Sequence, residues 1–200
     1  APQIYRRMVQ LKQLGIKPSS LVIGAHGAPG ITVFGSGPSG FSLLADESLR
    51  SRDGDVNLGD ARIDRLLSDE FMQTSRSIDD PGEWNGYRQI ILDSCSGAVA
   101  YENGISTTEA ILGNAVMGEL STRDLEMYAA TDVVYSQRHG DDLLFRDETN
   151  KSIAARFSAT PLTDHGVIGS MFKNFRLPGV KRSRGYTVEQ ENLDRIPIGK

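Results

Sequence analysis

The chain has 200 residues, 22 Lys+Arg against 26 Asp+Glu for a formal net charge of −4, 38% hydrophobic residues and a single cysteine. One cysteine excludes an internal disulfide framework and a multi-cysteine zinc site, and no segment reaches the roughly 20 consecutive apolar residues of a membrane span or has the build of a signal peptide. What remains is one domain, 1–200, held by its own apolar core, and its opening on Ala1 rather than Met fits a piece cut from a longer protein.

In chain order, residues 4–14 place Ile4, Met8, Leu11 and Leu14 at helical spacing with Gly15 as a C-cap. A short apolar strand over 20–25 runs into His26-Gly27, and a β-branched strand over 31–35 follows the turn residues Pro29-Gly30. Helices are predicted over 41–50 and 60–72; the second carries an apolar stripe of Ile63, Leu66, Leu67 and Phe71, with Asp60 as N-cap. The unbroken run Ile90-Ile91-Leu92 makes 88–95 the best buried strand, ended by Gly97. Ser106 and Glu109 stand at capping-box spacing and open a helix over 106–120, after which 126–136 returns to strand. A hairpin pairs 132–136 with 142–146 around Arg138-His139-Gly140-Asp141, and weaker hairpin and loop patterns occupy the rest, leaving a core over 20–136 and a C-terminal region over 137–200. Strands alternating with helices predict an α/β fold, a mostly parallel sheet with helices on both faces.

Reactive groups in such sheets gather beyond the carboxyl ends of the strands, where His26 and Cys95 both fall. A thiol needs a neighbouring base to act as thiolate at neutral pH, and a neutral imidazole is the usual one. Gly27, without a side chain, lets its N–H approach a substrate carbonyl oxygen, and with the N–H of Cys95 it makes a candidate oxyanion hole. A lone cysteine after a strand is also a common small apolar packing residue, but the polar, glycine-bearing flank Asp93-Ser94-Cys95-Ser96-Gly97 is unlike a packing position. All three histidines precede a glycine, so His139 and His165 are alternative bases if the order is cysteine then histidine; neither follows a core strand. A competing motif, Gly35-x-Gly37-x-x-Gly40 after a β-branched run, matches the dinucleotide or flavin fingerprint, although 55–60 supplies a poor second strand.

The blocks LVIGAHG (21–27) and IILDSCSGA (90–98) resemble the two signatures of the caspase-like cysteine peptidases of clan CD, in which one apolar strand ends in His-Gly and a later one in Asp-x-Cys. Asp93-Ser94-Cys95-Ser96-Gly97 is similar to the metacaspase form, and the layout is shared by CHAT-domain peptidases and the autoprocessing protease domains of large bacterial toxins. The resemblance covers residues 20–136. It implies a caspase-like fold and a cysteine endopeptidase acting on peptide or protein substrates, in cis for a self-processing toxin or effector. His26 is then the base, Cys95 the nucleophile, Gly27 and Cys95 the oxyanion donors, and Asp93 the S1 residue for a basic P1 side chain, where the toxin domains prefer Leu. His26 and Cys95 are 69 positions apart, which implies an insertion between 35 and 60, and spacing identifies no carboxylate partner for His26. A non-catalytic interaction module of the same layout is the alternative.

Charge is unevenly distributed. Residues 1–45 hold 4 bases and no acid, 46–148 hold 9 bases and 22 acids, and 149–200 hold 9 bases and 4 acids. Arg6, Arg7, Lys12 and Lys17 at one end and Lys173, Arg176, Lys181, Arg182 and Arg184 at the other are candidates for one anion site. By the toxin-domain resemblance the anion is inositol hexakisphosphate or another polyanion, an activator rather than a cofactor of the chemistry; the same charges would suit a nucleic acid or an acidic protein. No aromatic-interleaved basic motif supports nucleic-acid binding, and no metal site is expected. A catalytic thiolate implies a reducing intracellular compartment, a host cytosol in the case of a secreted effector.

Overall fold

A computed structural model of the chain describes residues 10, 13–14, 20–35, 40–53, 55–57, 89–117, 126–161 and 186–199. In chain order its elements are β1 (Ser20–Gly24), β2 (His26–Ala28), β3 (Ile31–Phe34), β4 (Phe41–Leu44), a 3-10 turn (Glu47–Leu49), β5 (Val56–Asn57), β6 (Gln89–Asp93), α1 (Thr107–Met117), β7 (Glu126–Ala130), β8 (Tyr135–His139), β9 (Asp142–Arg146), β10 (Ala154–Pro161), β11 (Tyr186–Leu193) and β12 (Ile196–Pro197). They form three sheets, ordered β1-β6-β7-β10-β11, β12-β9-β8 and β2-β3-β4-β5.

This corrects the expected fold class. Of the described residues 49% lie in strands and about 11% in helix, which is not a helix-rich α/β caspase-like fold with helices on both faces of a mostly parallel sheet. Within the main sheet β1, β6 and β7 run parallel, but β10 and β11 join antiparallel. Its two faces have different covers. On one face Leu112 of α1 packs into a core of Ile23, Ile90, Leu92, Met127, Ala129, Ala155 and Phe157. On the other, where a helix is expected, Leu143 and Phe145 of β9 and Ile196 of β12 close over Ile91, Tyr128, Ala130 and Ala154. The alternation of β9 produces this layer: Leu143 and Phe145 point inward while Asp142, Leu144 and Arg146 stay half-exposed. Truncating Phe145, which is fully buried, costs about 3–5 kcal/mol.

The expected helix over 41–50 is also corrected. Phe41–Leu44 pairs antiparallel with β3, and Phe34 stacks on Phe41 with ring centroids 4.8 Å apart. The buried Asp55 carboxylate fixes this turn of chain by accepting from the N–H groups of Ser42 (2.8 Å), Ser51 (3.0 Å) and Arg52 (3.0 Å). Gly35 and Gly40 therefore flank a strand-to-strand connection rather than opening a helix, the context a dinucleotide fingerprint needs. The strands expected at 20–25, 31–35 and 88–95 occur as β1, β3 and β6, and the 126–136 strand divides into β7 and the start of β8. The capping box forms reciprocally: Ser106 N–H donates to Glu109 Oε2 (2.9 Å) and Glu109 N–H to Ser106 Oγ (3.1 Å). Of the helix expected over 4–14, Gln10, Gln13 and Leu14 are described, with Leu14 N–H bonded to the Gln10 carbonyl (3.0 Å); the 60–72 helix lies outside the described residues.

Candidate active site at the carboxyl ends of β1 and β6

β1 and β6 are adjacent and parallel, in register from Ser20↔Gln89 to Gly24↔Asp93. The ladder continues one step further, because Ala25 N–H donates to the Asp93 carbonyl (3.1 Å). His26 and Cys95, each two residues beyond the last pair, thus leave neighbouring strands at the same height. Gly27 shows how close the two chains come: a Cβ there would sit 2.3 Å from the Cys95 carbonyl oxygen and 3.1 Å from Ser94 Cβ and Oγ. The glycine is required by space, since its φ is not in the left-handed region.

The Cys95 turn is strapped down on two sides. Ser96 N–H donates to the Asp132 carbonyl and Ala98 N–H to the Ala130 carbonyl, both at 2.9 Å, which ties the turn to the end of β7. The Gly97 carbonyl accepts from Thr108 twice, from its hydroxyl at 2.7 Å and its N–H at 3.2 Å, which ties the turn to the first residues of α1. Ser96 holds φ at 54°, a left-handed conformation uncommon for a side-chain-bearing residue. These straps consume the N–H of Ser96, while among the described residues the N–H of Cys95 donates to nothing. Cys95 is half-buried and His26, in β2 opposite Val33, is exposed. No hydrogen bond joins their side chains, and no carboxylate accepts from the His26 ring, among the described residues.

Asp93 ends β6, half-buried, and strand alternation puts its side chain on the face of Ile91. Beside it on β1, Val22 is 47% exposed and a Cβ on Gly24 would meet nothing within 4 Å, so among the described residues this face of β1 is open. His139 ends the exposed strand β8 in a separate sheet. His165, Arg6, Arg7, Lys12, Lys17, Lys173, Arg176, Lys181, Arg182 and Arg184 lie outside the described residues, as does Gly37. A cleft of about 380 Å³ bordered by Asp132, Asp147, Asp194 and Lys151 meets the site only at Asp132.

Two contributors escape the sequence reading. Asp132 acts through its carbonyl, and the polar break Thr131-Asp132 inside an otherwise apolar 127–135 run is the signal that marks it. Ser94, 1% exposed, carries a hydroxyl with no partner among the described residues, and nothing in its sequence context distinguishes it from Ser96. Among the described residues no group of His, Cys, Asp and Glu is arranged to hold a metal ion, and no helix is long and apolar enough to cross a membrane. Compared with protein-family models, curated proteins and solved structures, the chain matches none.

Proposed function

We propose that the chain is a cysteine endopeptidase in which His26 and Cys95 form the reacting pair. The observation that carries this reading is the parallel β1–β6 register, which brings a histidine and the single cysteine off adjacent strand ends with a glycine backbone pressed against the cysteine turn. His26 takes the Cys95 thiol proton, and the thiolate attacks the scissile carbonyl carbon. The electron pair displaced onto the carbonyl oxygen is stabilised by the N–H groups of Gly27 and Cys95. Collapse of that intermediate breaks the C–N bond, and the leaving amine takes its proton from His26. Water, deprotonated by the same imidazole, then cleaves the thioester and restores the thiol.

A peptide rather than a small ester is favoured by what lies beside the turn. Ser96 rests on Asp132, and the chain continues from there through Val133 (54% exposed) into β8, a sheet edge that opens with Tyr135 (60% exposed). An extended peptide has there a main-chain edge to lie along and two apolar side chains to meet. Asp93, beside the open face of β1, is the residue proposed to favour a basic side chain before the scissile bond. Mass spectrometry of peptide products from wild-type and Cys95→Ala protein tests the proposal: cleavage by the wild type alone supports it, and equal products or none overturn it.

A further inference from the structure

Three side-chain oxygens among the described residues are buried without a hydrogen-bond partner: Thr32 Oγ1, Ser94 Oγ and Thr107 Oγ1. They are not scattered. Thr32 stands opposite Gly27 in the β2–β3 register, and Thr107 precedes Thr108, which holds the Gly97 carbonyl. Ser94 lies between those two glycines: a Cβ on Gly27 would come 3.1 Å from its Oγ, and one on Gly97 3.0 Å. With no side chain at 27 or 97, main chain comes up to the hydroxyl on both sides. Buried polar residues elsewhere are bonded, as with Asp55 in its ring of N–H groups and Gln89, whose side chain meets Ser20 and the Pro197 carbonyl. An enclosed hydroxyl without a partner weakens the folded state. Keeping one directly before the nucleophile is explained by a partner it gains in another state of the site.

We infer that Ser94 is a positioning residue for the reaction at Cys95. When a peptide carbonyl occupies the site, the Ser94 hydroxyl donates to the Gly27 carbonyl and so holds the Gly27 peptide with its N–H toward the developing oxyanion. Ser94 acts through Gly27 and touches neither substrate nor thiol. The inference rests on the peptidase reading, and the experiment separates the two.

The experiment measures the inactivation rate and affinity of a peptide-based thiol-reactive probe on the full chain, wild type and Ser94→Ala, together with Tm. Ser94→Ala removes an unsatisfied buried group, so Tm holds or rises, while the maximal inactivation rate falls about tenfold at unchanged probe affinity. A packing role alone would leave that rate untouched. An unchanged rate, a weakened affinity with the rate preserved, a Tm lowered by the substitution or a variant that fails to fold would each overturn the inference. If Cys95 in the wild type does not react with the probe at all, the peptidase reading fails and this inference with it.

Discussion

Gly27→Ala puts the geometry of the site to a test in which stability and reactivity change together. The added methyl would lie 2.3 Å from the Cys95 carbonyl oxygen, and real side chains do not approach closer than 3.0 Å, so the β2 backbone and the Cys95 turn must separate by at least 0.7 Å (3.0 − 2.3). The turn is held by the Ser96–Asp132 and Ala98–Ala130 bonds, and the displacement falls mainly on His26–Ala28. Forcing a methyl into such a contact costs about 1–3 kcal/mol. For a chain of this length that lowers Tm by about 2–12 °C. Shifting a reacting pair by close to an ångström costs about 100-fold in rate. The control is Gly24→Ala, two residues before His26 on β1, where a methyl meets nothing within 4 Å. Thermal unfolding by circular dichroism and the rate of probe attachment to Cys95 report the two effects; Gly24→Ala is expected to match the wild type in both. A Gly27→Ala protein with wild-type Tm and wild-type Cys95 reactivity would refute the close approach and the role given to it.

Other outcomes follow from single residues. Burial alone would raise the Asp55 carboxyl, but the N–H groups of Ser51, Arg52 and Ser42 outweigh it and hold the carboxyl below the ordinary carboxylate range. Because the folded value is the lower one, this contribution is complete above the unfolded-state value of about 4 and is lost as pH falls through the folded value. Asp55→Ala strands those donors and is expected to cost about 2–4 kcal/mol and to flatten the acid limb of a pH–stability curve; an unchanged acid limb would contradict the assignment. Burial, reinforced by the hydrogen bond to Glu126, pushes the Tyr128 hydroxyl up to about 12. Its stabilising effect is therefore full below pH 10 and lost as pH rises toward 12, and absorbance titration of wild type and Tyr128→Phe should show one phenol ionising near pH 12 only in the wild type. Asp93→Asn is expected to reduce cleavage after Arg and Lys at least tenfold relative to cleavage after Leu, in a library of peptide substrates; an unaltered ratio removes Asp93 from the recognition of P1.

The residues that sequence reading finds most readily are those whose structure is local. Ser106 and Glu109 cap α1 because both partners lie within one turn, and the runs at 20–24 and 89–93 become β1 and β6 because a short apolar run bounded by glycine and polar residues is recognised without distant information, although β6 alone of the two is buried along its length. The same pattern places His26 and Cys95 just beyond two strand ends, and the parallel register shows those two strands to be adjacent. What went unread depends on remote partners. Phe41, Leu43 and Leu44 fit a helical stripe as well as a strand, and the choice is made by Phe34 stacking from β3 and by Asp55 gripping Ser42. Leu143 and Phe145 look like any hairpin alternation until β9 is found lying over Ile91 and Tyr128, in the layer where a helix was expected. Ser94 is the extreme case, since its interest is the absence of a partner among the described residues, a property of the packed site alone.

The central claim is that His26 and Cys95 act as one unit, and it is tested most directly by the rate of Cys95 alkylation in native wild-type and His26→Ala protein across pH 5–9. His26 is exposed, so its removal leaves Tm unchanged. The account predicts that Cys95 of the wild type is alkylated at neutral pH about 100-fold faster than Cys95 of His26→Ala. Equal rates in the two proteins across that range would contradict it.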